Sequence, residues 1–191
     1  VITEPIAVTL LVVEVFDRLG IPYLIGGSLA SALHGVVRTT LDTDLVADVK
    51  FEQVDSFVET LGEAFYVDAG AIRDAIARRS SFNMIHLETM FKVDVFISKG
   101  RPFERMQFER RLLQVMTDSD RSAYVSSAED IILAKLEWYR KGGEVSERQW
   151  RDVLGVLKVQ QGRLDLDYLR RWAVDLRVEE LLLRALAEAE E

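Results

Sequence analysis

The sequence predicts an α+β fold: a mixed sheet with flanking helices over residues 1–125, then a C-terminal helical bundle over residues 126–191. Two observations carry that expectation. In the first part, short apolar or alternating runs such as Ile21–Ile25, Asp42–Ala47 and Phe91–Ile97 are separated by segments with apolar residues at three- and four-residue spacing. From Ser126-Ser127-Ala128-Glu129 onward the pattern is almost wholly helical, and Ser126 or Ser127 followed by acids suits a helix N-terminus.

Val8 to Leu19 carries the spacing of a first helix, with Gly20 as its stop. Ile21-Pro22-Tyr23-Leu24-Ile25 is a short apolar run, predicted to be a buried strand. Gly26-Gly27 turns the chain, and Ser28 to Gly35, rich in Ala and Leu, predicts a brief helix. Asp42 to Ala47 alternates polar and apolar, as a strand with one face to the core does. Phe51 to Gly62 places Phe51, Val54, Phe57, Val58 and Leu61 on one helical face.

Ala64 to Val67 predicts a short strand and Ala71 to Arg79 a helix bearing Arg73, Arg78 and Arg79. Those arginines suit a polyanionic ligand or, more plainly, a solvated helix face. Ser81–Glu88 and Met90–Ile97 predict neighbouring strands with Glu88-Thr89 near the turn; alternation with Ile85 and Leu87 places His86 on the strand surface. Leu112–Met116 and Tyr124-Val125 complete the extended segments. Helices are expected at Ala128–Lys141, Ser146–Gln160, Leu166–Asp175 and Glu179–Glu190, with breaks at Gly142-Gly143 and Gly162.

Composition narrows the function. The 191 residues carry a net charge of −8, which argues against a broad basic surface for nucleic acid. Without cysteine there is no disulfide frame, thiolate zinc site or cysteine nucleophile, and His34 and His86 are too few for a histidine metal site. No run approaches the ~18–20 apolar residues of a membrane span. The apolar start, Ile6 to Phe16, has Glu4, Pro5 and Glu14 around it and lacks a basic leader and a small-residue cleavage site, so a cytoplasmic location is the expectation.

The stretch with most chemistry runs from Ile25 to Leu45. Gly26 and Gly27 permit backbone angles closed to other residues and let a ligand approach the main chain. Ser28 then opens a helix whose free N–H groups suit a phosphate, although the same residues also suit an ordinary turn and cap. On a strand, Asp42 and Asp44 share a face, their Cα atoms about 6.5–7 Å apart. Two like charges there suit either a solvated strand end or a divalent cation, Mg²⁺ or Mn²⁺, bound through oxygen. Phe91-Lys92-Val93-Asp94-Val95-Phe96-Ile97 adds a third acid in mid-strand, where a lone charge is costly to bury. If that strand lies beside Asp42–Ala47, Asp94 can face the same metal position, and metals bridged by such acids can hold a triphosphate.

Gly26-Gly27-Ser28, Arg38-Thr39-Thr40-Leu41-Asp42-Thr43-Asp44-Leu45 and the later Asp94 together resemble the nucleotidyltransferase superfamily with the polymerase-beta-like palm. The wording is most similar to its minimal bacterial branch, which includes toxins of abortive-infection and toxin–antitoxin systems. The resemblance implies that Gly27 and Ser28 hold nucleotide phosphates, that Asp42 and Asp44 bind metal, and that Asp94 binds metal and activates the acceptor hydroxyl. It adds Arg38 and Lys135 as phosphate-neutralising cations. Lys135-Leu136-Glu137-Trp138-Tyr139-Arg140 and Trp150-Arg151-Asp152 are similar to cleft-lining segments of that branch, with Asp152 anchoring Lys135. By themselves, Lys135 and Asp152 read equally as a surface ion pair between helices, and Trp138, Tyr139 and Trp150 as packing residues.

The implied activity is Mg²⁺-dependent transfer of a nucleoside monophosphate from a nucleoside triphosphate to a hydroxyl. An RNA end, a protein hydroxyl and a small molecule such as an aminoglycoside all remain open as acceptor. The alternative is a non-catalytic nucleotide-binding protein on the same scaffold, or a toxin-like component with an antitoxin partner.

Overall fold

A computed structural model of the chain describes residues 4–36, 40, 42–116 and 120–190. It divides into two compact units, one of Val1–Leu29 and Thr39–Val125, the other of Ala30–Arg38 and Ser126–Glu191.

The first unit is built on a sheet. Its strands are β1 (Tyr23–Ile25), β2 (Asp42–Ala47), β3 (Phe65–Tyr66), β4 (Ser81–His86), β5 (Lys92–Ile97), β6 (Leu112–Val115) and β7 (Ser122–Val125), in the order β3-β4-β5-β2-β1-β7-β6 among the described residues. β2 and β5 run parallel at the centre, and β1 with β7 is also parallel; the remaining pairs are antiparallel. Both central strands alternate half-buried and buried along their length. Thr43, Leu45, Ala47, Val93, Val95 and Ile97 form the buried face, and the polar residues between them point the other way.

Helices α1 (Glu4–Leu19), α3 (Val54–Leu61) and α4 (Ala69–Arg78) supply apolar partners in this unit. Phe16 of α1 stacks on Phe57 of α3 at 5.2 Å, and Phe57 meets Phe82 of β4 edge-on at 6.3 Å. Thr9 of α1 and Thr43 of β2, both fully buried, have hydroxyls 2.9 Å apart. The Thr9 proton goes to the Pro5 carbonyl at 2.6 Å, so Thr43 is the donor between them. Each buried hydroxyl is thereby satisfied.

His86 and Trp138 sit otherwise than expected, and one helix was not expected at all. His86 is buried, not on a surface: β4 turns Phe82, Met84 and His86 inward together, and the imidazole lies 5.1 Å from the Phe65 ring with Nδ1 3.0 Å from the Thr89 hydroxyl. Alternation separated His86 from Ile85 but could not say which side was covered. A further helix, α5 (Pro102–Arg110), follows β5. It buries Glu104 and Gln107 beside Phe103, so its covered face has no apolar stripe to betray it. Glu104 is paid back by the Lys99 N–H at 2.6 Å and the Arg101 Nε at 2.9 Å. Trp138, expected as a packing residue, is 53% exposed, with the Lys141 ammonium over its ring, while Tyr139 and Trp150 are buried.

The second unit contains α6 (Ala128–Lys141), α7 (Glu147–Val159), α8 (Leu166–Asp175) and α9 (Glu179–Glu190). The hydroxyls of Ser127 and Ser146 and the Asp165 carboxylate cap α6, α7 and α8 by accepting from the N–H three residues on. Ile132, Leu133, Leu136, Val153, Val156, Leu169 and Leu182 form its core. α2 (Gly27–Leu33) runs from the first unit into the second. The chain after it lies against α7: a Cβ on Gly155 would come within 2.9 Å of Val36.

Lys135 and Asp152 join α6 to α7 at 2.8 Å, and Gln149 accepts from the same ammonium at 3.2 Å. Their side chains are only 6% and 5% exposed, so this is an interior ion pair rather than a surface one. Removing one partner strands the other's charge. Asp152→Ala is therefore expected to cost about 3–5 kcal/mol in urea unfolding, and Lys135→Met with Asp152→Leu to recover most of it.

Candidate active site

The central pair of strands sets the geometry. In the β2–β5 register Asp44 lies opposite Asp94, and Asp42 lies opposite Lys92. Directly partnered residues on adjacent strands share a face, so the four side chains form a two-by-two grid on the half-buried side of the sheet. Three members are acids. The fourth, Lys92, was not singled out by the sequence reading, although its position two residues before Asp94 places it on the same face.

Lys92 is engaged in the grid. Its Nζ is 2.6 Å from Asp94 Oδ2, with the lysine side chain 45% and the aspartate 20% exposed. The hydrogen bond to Asp94 pushes the ammonium above its ordinary pKa; the charges of Asp94, Asp42 and Asp44 reinforce this against partial desolvation. Thr40 donates from its hydroxyl to the Asp42 carbonyl at 2.8 Å and approaches the Asp42 carboxylate at 3.4 Å.

The glycine turn abuts this grid. Gly27 begins α2 with φ +54°, a left-handed angle that favours glycine. A Cβ there would fall 1.8 Å from Asp44 Oδ2, so the Asp44 carboxylate occupies the space a side chain would fill. Gly26 donates its N–H to the Asp44 carbonyl at 2.9 Å, which commits that group to the main chain of β2. Ser28 is buried. Two glycines thus meet one aspartate, one through its carboxylate and the other through its backbone.

Asp42, Asp44 and Asp94 offer oxygen donors only, on a common half-buried face, a set whose chemistry suits Mg²⁺ or Mn²⁺. Among the described residues, no three His, Cys, Asp or Glu side chains are drawn together closely enough to form a metal-binding group. The Asp94 carboxylate is held toward the Lys92 ammonium. Lys135 and Asp152 belong to the helical unit, and Arg38 lies outside the described residues.

No protein-family model matches the chain, and no curated protein matches its sequence. Solved structures do match in shape. A nucleotidyltransferase-like antigenic protein from Paracoccidioides brasiliensis superposes with a TM-score of 0.60 at 18% identity, over 98% of this chain and 94% of that one. The fold is that of the nucleotidyltransferases. The crystal structure of ANT(2″)-Ia in complex with adenylyl-2″-tobramycin matches with a TM-score of 0.61 at 14% identity, over 92% of this chain and 98% of that one. A solution structure of the same antibiotic-resistance factor gives 0.57 at 15% identity, over 94% of each chain. The described residues contain no helix long and apolar enough to cross a membrane.

Within this nucleotidyltransferase fold, the contact between Gly27 and Asp44 is directly testable. Gly27→Ala is expected to lower the melting temperature, because it combines a strained φ with a collision. Its cost should exceed the ~1 kcal/mol of a simple glycine replacement. Combining it with Asp44→Ala should cost less than the sum of the two single changes, a coupling that a thermal-denaturation double-mutant cycle measures.

Proposed function

We propose that the chain is a metal-dependent nucleotidyltransferase that moves a nucleoside monophosphate from a nucleoside triphosphate to a hydroxyl on a small acceptor. The observation that carries this reading is the register that sets Asp44 opposite Asp94, with Asp42 on the same face beside them. Like charges facing one another across adjacent strands destabilise a sheet, and a ligand chemistry that uses oxygen donors on one face gives such a set a purpose.

In this reading Asp42, Asp44 and Asp94 would hold the metal, and Ser28 with the Gly27 backbone would receive phosphate oxygens at the start of α2. A bound divalent cation supplies charge neutralisation for the polyphosphate and makes the acceptor hydroxyl easier to deprotonate. Asp94 takes the hydroxyl proton. The acceptor oxygen forms its bond to the α-phosphorus as the bond to the departing pyrophosphate breaks. Arg38 is assigned to phosphate charge. A small acceptor is favoured by the net charge of −8, which disfavours long nucleic acid. The adenylylated tobramycin held by ANT(2″)-Ia is an example of such an acceptor on this fold.

Calorimetric titration with ATP, GTP, CTP and UTP tests the assignment. At least one nucleotide should bind with Mg²⁺ or Mn²⁺ and not in EDTA, and Asp42→Asn should abolish the metal dependence. Identical binding by wild type and Asp42→Asn under both conditions would count against it.

A further inference from the structure

The carboxyl-terminal ends of the two central strands open onto a group of cations. β2 and β5 run parallel, so Asp42 and Lys92 lie at their starts and Ala47 and Ile97 at their ends. The segment leaving β5, Ser98-Lys99-Gly100, is tied there to the end of β2 and to the chain after α4. The Ser98 N–H donates to the Ala47 carbonyl at 2.9 Å and the Ile97 N–H to the Ser80 carbonyl at 2.8 Å. We propose that Arg78, Arg79, Lys99 and Arg105 form a surface for the phosphodiester backbone of a nucleic-acid strand, separate from the candidate active site.

What distinguishes this group is how its guanidinium ions are held. Elsewhere arginines are matched to carboxylates: Arg73 pairs with Asp55, Arg140 with Glu144 and Glu180, and Arg184 with Glu188. Here main-chain carbonyls hold them instead. Arg79 Nη1 donates to the Ser98 carbonyl at 2.7 Å, and Arg105 Nη1 donates to the Gly100 carbonyl at 2.7 Å. A carbonyl orients a guanidinium without cancelling its charge, and most of the five N–H donors stay available to another acceptor. The two anchoring residues are two positions apart, so their Cα atoms lie within about 7 Å. Lys99, between them in sequence, is exposed, as are Arg78, Arg79 and Arg105.

The neighbouring acids leave these groups their charge. Glu104 is buried and taken by Arg101 Nε at 2.9 Å and by the Lys99 N–H at 2.6 Å. Asp48, just past β2, pairs with Lys50 at 2.7 Å. Asp74 and Glu109 lie one helical turn from Arg78 and Arg105; they weaken the local field, but among the described residues they form no ion pair with either arginine.

The chemistry of the surface selects its partner. Guanidinium forks take phosphate oxygens in pairs. A protein partner would need apolar or aromatic anchors. No large apolar side chain of residues 78–81 or 97–105 is exposed, Ile97 and Phe103 both being 3% accessible. With no exposed aromatic ring there to stack on bases, the contact is to phosphates alone and indifferent to base sequence. Four cations address about four phosphates, a short stretch that a chain of net charge −8 tolerates where a long tract would be repelled.

The test is fluorescence anisotropy of a short labelled oligouridylate with the full chain across a salt series. EDTA is present and nucleoside triphosphate absent, which separates the result from metal-dependent nucleotide binding. Wild type is expected to bind with a slope of log affinity against log salt of about −3, roughly 0.7 for each of four cations. Lys99→Gln and Arg79→Gly should each flatten the slope by about 0.7. Arg79 caps α4 at φ +52°, a conformation that glycine suits, so Arg79→Gly removes the charge while keeping the fold, and an unchanged melting temperature checks this. Arg163→Gln, at an exposed cation of the helical unit, should leave the slope unaltered. Unlabelled oligothymidylate should compete as well as oligouridylate, and polyglutamate should not. Absence of binding by wild type at low salt, or equal slopes in wild type and the Lys99 and Arg79 variants, overturns the proposal. Polyglutamate competing as well as the oligonucleotides overturns the phosphodiester assignment, and a preference between the two strands overturns recognition through backbone charge alone.

Discussion

The parallel pairing of β2 with β5 is the constraint on which the candidate site depends. Side-chain period on a strand is two residues, so a slip of β5 by one position would send Asp94 to the buried face beside Thr43 and Leu45 and turn Val93, Val95 and Ile97 outward. The register is guarded by that buried face. Thr43, Leu45 and Ala47 on β2 and their partners on β5 are all fully or almost fully covered, and Thr43 is tied to Thr9 of α1. Hydrophobic burial on one side of the sheet thereby fixes the placement of charge on the other.

Charge is handled differently in the two units. On the sheet, Asp42, Asp44 and Asp94 share a half-buried face with Lys92, which pairs with Asp94 in partial contact with solvent. In the helical unit, Lys135 and Asp152 are matched one to one and enclosed, with Gln149 completing the ammonium's partners. At the rim of that unit, Arg140 reaches the Arg177 carbonyl at 2.6 Å and pairs with Glu144 and Glu180, joining the end of α6 to the start of α9. Trp150 donates its indole N–H to Glu188 at 2.8 Å with the Arg184 guanidinium over its ring, joining α7 to α9.

Much of this was legible before any coordinates, because the elements that matter obey simple periods. Asp42-Thr43-Asp44 and Lys92-Val93-Asp94 announce strands with an acidic face, and the long helices after Ser127 carry continuous apolar stripes. What stayed hidden needed a partner from elsewhere in the chain. Alternation told that His86 opposed Ile85 without telling which side Phe65 would cover. Glu104 and Gln107 disguised α5 because their burial is satisfied by polar groups rather than shown by hydropathy. The depth of the Lys135–Asp152 pair depends on two helices closing over it, which no single segment encodes. The place of Lys92 beside the acids depends on Asp42 across the strand boundary, which the sequence of one strand does not name.

The double tie between the glycine turn and β2 has a mechanical corollary. Gly26 is bonded to the backbone of Asp44, and Gly27 makes room for its carboxylate, so the loop after β1 meets the middle of β2 through both main chain and side chain. Whatever tugs on that loop is felt at the aspartate, and a force on the aspartate is returned to the loop. A larger side chain at the turn would have to displace the carboxylate before the two segments could close on one another.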